Sequence, residues 1–200
     1  MSKVQVDTID TRSGTATMQI GSTNTSTINI GVSGDTVNIP AGVTIANAGT
    51  ATGFGQTNTP YFFAYRGSSV QSIANNTLTI VEFNAELYDS GSCFDTGTYK
   101  FTPNVAGKYL INATVRMGSS TNADNCQIEI FKNTTTFSRV NGINRNYNSI
   151  VSMATIDMNG SSDYIQAKIY QDTGGAANIQ YNSDSTYQTF LQGFLIATWA

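Results

Sequence analysis

Acid–base chemistry near neutral pH is usually the work of histidine, and this chain of 200 residues has none. A Ser-His-Asp or Cys-His arrangement is therefore impossible, which leaves carboxylates with shifted pKa as the available acids and bases. The acidic residues concentrate in one place, where Glu82 and Glu86 are followed by Asp89 and Asp95. Two such groups could flank a glycosidic bond as acid and nucleophile, or gather oxygens around Ca²⁺. The plainer reading is the solvated end of a strand and its loop, so no catalytic residue, metal ligand or cofactor is assigned. Cys93 and Cys126 stand too far apart in sequence for a metal knuckle, and no histidine completes a zinc site. They read as buried free thiols; a disulfide between them stays open, because sequence does not give their Cα separation.

The remaining chemistry is that of recognition. Tyr147, Tyr164, Tyr170, Tyr181 and Tyr187 could stack on sugar rings, since an apolar face with a polar tip suits that ligand. Most of them fall in strand-like stretches, but Tyr147 and Tyr181 sit in Asn/Ser-rich segments without a core-like period. Asn144, Arg145, Tyr147 and Asn148, with Asn178, Tyr181 and Asn182, form the candidate ligand-binding patch, suited to a neutral polar ligand. Triplets such as Asn75-Asn76-Thr77 and Asn112-Ala113-Thr114 match the glycosylation pattern only by chance in a chain so rich in Asn and Thr.

The surface that carries such a patch must be polar yet mostly uncharged, because charged residues make up 12% of the chain against roughly 25% in an average soluble protein. With a net charge of −3 and ten basic residues scattered singly, no basic footprint for nucleic acid is seen. No stretch approaches the ~20 apolar residues of a membrane span, and the polar start Met1-Ser2-Lys3-Val4-Gln5-Val6-Asp7 lacks the apolar part of a secretory signal. Synthesis in a cytoplasm without membrane insertion is expected.

Texture divides the chain near residues 51–58. Residues 1–58 carry short apolar dyads in a Gly/Ser/Thr/Asn background: Met18-Gln19-Ile20, Ile28-Asn29-Ile30, Val37-Asn38-Ile39 and Val43-Thr44-Ile45. Each puts its apolar residues on one face of a short strand that ends at a turn former. Such strands cannot make a core alone; three chains wrapped around an axis would bury the stripe as a β stalk, whereas the alternative is a disordered leader.

Residues 59–200 instead show a succession of aromatic and β-branched strands. The clearest are 61–65, 78–83, 98–102, 108–117, 126–132, 150–158, 164–170 and 189–199, with turns such as Asp89-Ser90-Gly91 and Asn159-Gly160 between them. No long 3.6-residue period occurs, so the expected class is all-β, a sandwich or jelly roll. The last strand carries Phe190, Leu191, Phe194, Leu195, Ile196 and Trp199, apolar on both alternating faces. Either both faces are covered inside one chain, or one face meets neighbouring subunits. These six residues are the expected trimer interface.

The run Phe94-Asp95-Thr96-Gly97-Thr98-Tyr99-Lys100-Phe101-Thr102-Pro103-Asn104-Val105-Ala106-Gly107-Lys108-Tyr109 resembles the signature of the complement C1q and tumour necrosis factor jelly-roll superfamily. There, an aromatic-Asp turn leads to a Tyr-x-Phe-Thr-x-Pro strand, a Gly-x-Tyr turn and a long alternating strand. Phe62-Phe63-Ala64-Tyr65, Val81-Glu82-Phe83-Asn84 and the apolar last strand agree with it. The resemblance covers residues 60–200 and implies a ten-stranded jelly roll in a tight homotrimer. The opening Lys3-Val4-Gln5-Val6-Asp7-Thr8-Ile9 and the Gly/Thr-rich leader also resemble structural proteins of marine tailed bacteriophages. Together these imply a virion protein: a trimeric tail fibre or spike that attaches through residues 1–58 to other virion proteins and offers its C1q-like head to a host surface polysaccharide or protein. The alternative is a capsid decoration or tail adaptor protein that contacts virion proteins alone. Neither implies an enzyme.

Overall fold

The computed structural model describes Ile20 and residues 27–44, 58–118, 124–144, 147–182 and 186–198. The chain divides into two compact units, Met1–Thr52 and Gly53–Ala200. In the first, residues 27–44 contain turns at 33–34 and 41–42 and no strand. The dyads expected as strands at 28–30 and 37–39 are not strands in the single chain, and Ile28, Ile30, Val37 and Ile39 stand exposed. The physical reason is that one copy of so short a segment offers no second layer to bury them. The dyads at 18–20 and 43–45 lie partly outside the described residues.

The second unit is built of strands, and no helix occurs among the described residues. They are β1 (Tyr61–Tyr65), β2 (Gln71–Ile73), β3 (Thr79–Ile80), β4 (Ala85–Asp89), β5 (Phe94–Asp95), β6 (Lys100–Phe101), β7 (Ala106–Arg116), β8 (Asp124–Lys132), β9 (Thr135–Asn144), β10 (Ser149–Asn159), β11 (Ile165–Gln171), β12 (Ala177–Ile179) and β13 (Phe190–Thr198). The count exceeds the ten implied by the resemblance because β2, β3, β5, β6 and β12 are pieces of only two or three residues. Two sheets face each other, one in the order β10-β7-β13-β1-β4 and the other β5-β6-β11-β8-β9 with β3 on β11; β12 and β2 form a small third pair. The pairings β10–β7, β7–β13, β13–β1 and β1–β4 are all antiparallel.

Alternation places the core between the two large sheets. Along β7, Tyr109, Ile111, Ala113 and Val115 point inward; along β8, Cys126, Ile128 and Ile130; along β11, Ile165, Ala167 and Ile169; and along β13, Leu191 and Leu195. The signature run supplies the rings at its centre. Phe62 stacks on Phe101 at 4.1 Å and on Phe94 at 5.3 Å, and Phe101 meets the edge of Tyr109 at 5.6 Å. Tyr109 donates its hydroxyl to the Val105 carbonyl at 2.7 Å, so a large ring is buried without an orphaned donor. Gly107 is required by close approach: a Cβ there would run into the Ala197 carbonyl of the adjacent β13.

The question of a disulfide closes here. Cys126 lies on β8 and Cys93 just before β5, at opposite sides of the same sheet with β6 and β11 between them. Three strand steps of ~4.8 Å exceed the reach of a disulfide, and both residues are buried free cysteines. Burial pushes the Cys126 thiol up to about 12 and raises Cys93 as well. Neither thiol is expected to react with a disulfide-exchange reagent in the native protein, and both should react on unfolding in denaturant. Rapid native labelling would show that the sandwich opens.

Candidate functional site

Three residues of the acidic concentration, Glu82, Asp89 and Asp95, are engaged by local partners. Glu82 accepts from Arg66 Nη1 at 2.9 Å, and Asp89 Oδ2 caps the Phe94 N–H at 2.8 Å. Asp95 closes its own turn, accepting from the Thr98 hydroxyl at 2.8 Å and from the Gly97 N–H at 2.7 Å. Those bonds hold the Asp95 carboxyl below the usual range, whereas partial burial, then the charges of Asp89 and Asp95, raise Glu86. Among the described residues, no group of three or more His, Cys, Asp and Glu side chains is placed to hold a metal. What the sequence gathers as one cluster serves as turn and strand-end chemistry.

The loop patch has a definite place. β7 runs on as Met117 and Gly118, and from there the backbone bonds to both candidate segments. Met117 N–H donates to the Asn148 carbonyl at 3.0 Å, Gly118 N–H to the Asn178 carbonyl at 2.6 Å, and Gln180 N–H returns to the Arg116 carbonyl at 2.8 Å. Residues 147–148 and 178–182 thus flank one end of one strand, although about thirty residues part them in sequence. Tyr147 is exposed, with φ +62°, and the Arg116 guanidinium lies 5.2 Å from its ring centroid. Asn178 and Asn148 are exposed, and Tyr181 and Asn182 half-buried. Two of the amides have internal duties: Asn148 Nδ2 donates to the Ile143 carbonyl at 3.3 Å, and Asn182 Oδ1 accepts from Gln188 N–H at 3.1 Å. Asn144 ends β9, and its side chain, like the whole of Arg145, lies outside the described residues.

Arg66 braces this end from beneath. Its buried guanidinium donates to the carbonyls of Ser69 and Glu82 and to the Glu82 carboxylate, while its own carbonyl accepts from Asn182 N–H. Nothing in the sequence singles out Arg66, whose role depends on three loops that meet only in the fold.

The outward faces of the two sheets differ in where their rings lie. On the β11–β8–β9 side two rings are capped by cations, Lys168 Nζ lying 3.9 Å from the Phe131 centroid and Lys100 Nζ 4.0 Å from that of Tyr164, while Phe137 and Ile143 of β9 stand exposed. Beside them Arg139 Nε pairs at 2.8 Å with Glu129, which is 2% exposed. That face presents charge to water. The outward face of the β10-β7-β13-β1-β4 sheet presents rings on its β13–β1–β4 half and the half-exposed Lys108–Asp157 ion pair on its β7–β10 half. Phe63 lies within 5.0–5.8 Å of Phe190, Tyr187 and Tyr88, and Tyr61 meets Tyr88 edge-on at 5.6 Å. Tyr61, Tyr88, Phe194 and Ile196 are exposed on this side, with Val151 and Met153 of β10 toward the other edge. Tyr61, Tyr88 and Phe194, with Asn58 and Gln192, line a shallow groove.

This divides the six residues expected at a subunit contact. Leu191 and Leu195 are 0% and 1% exposed and belong to the chain's own core, a correction that follows from their inward register. Phe194 and Ile196 are 40% and 42% exposed, and Phe190 is half-buried against Phe63. Trp199 lies outside the described residues. Tyr187, expected in a strand, is instead an exposed ring packed edge-on against Phe63 and Tyr65.

No family model and no curated protein matches the chain in sequence. Solved structures do match. PRD1 vertex protein P5 is 16% identical with a TM-score of 0.52, over 71% of this chain and 100% of that one. Murine APRIL is 18% identical at 0.51, over 68% and 98%. Eiger TNF of S. frugiperda is 10% identical at 0.50, over 70% and 96%. These likenesses establish the tumour necrosis factor type of jelly roll for the head.

Proposed function

We propose that the chain is a virion structural protein of a tailed bacteriophage, a homotrimeric fibre or spike subunit whose head binds the host surface and performs no catalysis. The observation that carries the assembly part is the uncapped aromatic face of the β10-β7-β13-β1-β4 sheet. On that face Tyr61, Tyr88, Val151, Met153, Phe194 and Ile196 are each 40–58% exposed, a grouping of large apolar side chains of the kind that marks an interaction surface. A second copy is the economical cover. The likeness to a protein named for a vertex supports a place in a particle, and the leader, whose described Ile and Val residues stand exposed, suits attachment to other virion proteins.

Recognition is assigned to the β7 end, where Tyr147 and Asn178 are exposed on a scaffold braced by Arg66. Loops on a rigid sandwich commonly carry binding, and ring stacking with amide hydrogen bonds suits a neutral polar ligand such as a surface polysaccharide. Weak single contacts would be multiplied by repeated copies. Purified wild-type protein is expected to coat host cells and block infection. Tyr147→Ala with Tyr181→Ala should reduce coating severalfold while changing stability by only about a kcal/mol. Wild-type protein that never coats cells would favour the decoration or adaptor reading, and its position in intact particles would then decide.

A further inference from the structure

We infer that the ligand received at the β7 end carries a carboxylate, as a uronic-acid glycan does, and that Arg116 binds it. This rests on the recognition reading above and specifies the chemistry of what is recognised. Beyond β7 the chain continues in an antiparallel bridge between Met117 and Ile179, both fully buried. Arg116 and Gly118 on one segment, with Asn178 and Gln180 on the other, flank that bridge and therefore point to its opposite side. Tyr147 joins them, 48% exposed, with the Arg116 guanidinium against one side of its ring. A side chain at position 118 would crowd this face, since a Cβ there would lie 2.8 Å from Gln180 Nε2 and 3.2 Å from the Asn178 carbonyl.

Charge pairing singles out Arg116. Among the described residues, Arg66, Lys108, Lys132 and Arg139 form ion pairs with Glu82, Asp157, Asp163 and Glu129. Lys100 stands opposite Asp95 across β5 and β6, and Lys168 opposite Glu129 across β11 and β8. Arg116 stands opposite Ser149 on β10 and beside Gln180 on its other flank, so no carboxylate of the described residues faces it. It has a ring for a neighbour and no counter-ion.

A guanidinium is a planar fork of N–H donors that takes both oxygens of one carboxylate. Contact with a ring engages the π cloud and leaves the donors at the edge of the fork for such a ligand. The exposed Tyr147 ring suits the sugar that bears the carboxylate, and the side-chain amides of Asn178 and Gln180, which no hydrogen bond among the described residues engages, suit its hydroxyls. Ring and amides alone would serve an uncharged sugar. The unpaired guanidinium adds the demand for one acid group on it.

Retention of the full-length protein on immobilised polygalacturonate, and on the same polymer after its carboxyl groups are reduced to alcohols, reads this directly. The acidic polymer should retain the protein and the reduced one should not. Arg116→Gln should weaken retention about tenfold or more, the effect of losing a charge-assisted hydrogen bond. Arg116→Lys, which keeps the charge but not the fork, should weaken it severalfold. Both variants keep the backbone bonds of residue 116 to Thr189 and Gln180, so their circular dichroism should match the parent. Unchanged retention of Arg116→Gln, equal retention on the two polymers, or no retention on either would overturn the carboxylate. Equal retention on dextran sulfate would overturn it in favour of any anion. Beside any of these results, loss of host-cell coating in Tyr147→Ala with Tyr181→Ala would leave the loop patch standing, and unchanged coating would remove the patch and the carboxylate together.

Discussion

Leu195→Asp is expected to leave no folded head at 25 °C. Leu195 is fully inward on β13, paired with Tyr109 of β7, and close enough to Gly107 that a methyl there would touch it. Replacing it removes a buried aliphatic side chain, ~2–5 kcal/mol including the cavity. It also leaves a carboxylate beside apolar rings, which costs several kcal/mol more whether the group stays charged or takes up a proton. The sum is comparable to the ~5–15 kcal/mol stability of an ordinary domain. Far-UV circular dichroism and proteolysis should report an unfolded chain; a protected sandwich would mean that β13 is not in the register described.

Phe194→Asp, one residue earlier, should do something different. Phe194 faces outward and is already 40% exposed in one chain, so the carboxylate can reach water in the monomer and the sandwich survives. In the proposed trimer the same carboxylate would be shut off from water beside the rings of that face. Losing ~0.6–1.2 kcal/mol of apolar burial at each contact, the share of a full Phe burial that assembly can still gain, with a desolvated charge added, and doing so in three copies, should weaken association by about three powers of ten. Light scattering should show a folded monomer, with a circular dichroism spectrum like that of the parent. A stable trimer would show that this face is not the contact. Neighbouring positions on one strand therefore separate folding from assembly, because successive side chains point to opposite faces.

The alternation on which that contrast depends was legible in the sequence wherever strands are long and apolar. The strand expected at 108–117 is β7 at Ala106–Arg116, and that expected at 150–158 is β10 at Ser149–Asn159. β9 was not legible. Its inward positions are Ser138, Val140 and Gly142, and Phe137 falls at an irregularity between the pairs Ile130–Ser138 and Phe131–Thr136, so no apolar period survives. Gly142 is small because Ile150 presses on it, a requirement set by a residue of the other sheet. β4 was hidden for a related reason: Glu86, Leu87 and Tyr88 are all exposed in the single chain, and its register with β1 shifts between Phe63 and Ala64. The expected strand 78–83 shortened to Thr79–Ile80, although Val81 and Phe83 are buried as its pattern requires.

At the candidate site, composition pointed to Tyr147 as an exposed ring, and the fold agrees. The bracing by Arg66 and the stacking of Arg116 on Tyr147 could not be read, since both arise from loops distant in sequence. The division of the last strand into an inward pair and an outward set follows from register, which a run apolar on both faces leaves undetermined.

The position of β13 bears on when the head can fold. It is the last described strand in sequence, yet it lies in the middle of its sheet, hydrogen-bonded to β7 on one side and β1 on the other. A nascent chain cannot complete that sheet as it emerges. β1 can pair early with β4 but waits for β13 for about 6–26 seconds at ~5–20 residues per second, with Phe62 and Phe63 lacking that neighbour. Such non-local pairing makes folding slow and exposes the intermediate to aggregation. Translation arrest anywhere before residue 190 would release a chain with a vacant central slot, open to capture of a neighbour's strand.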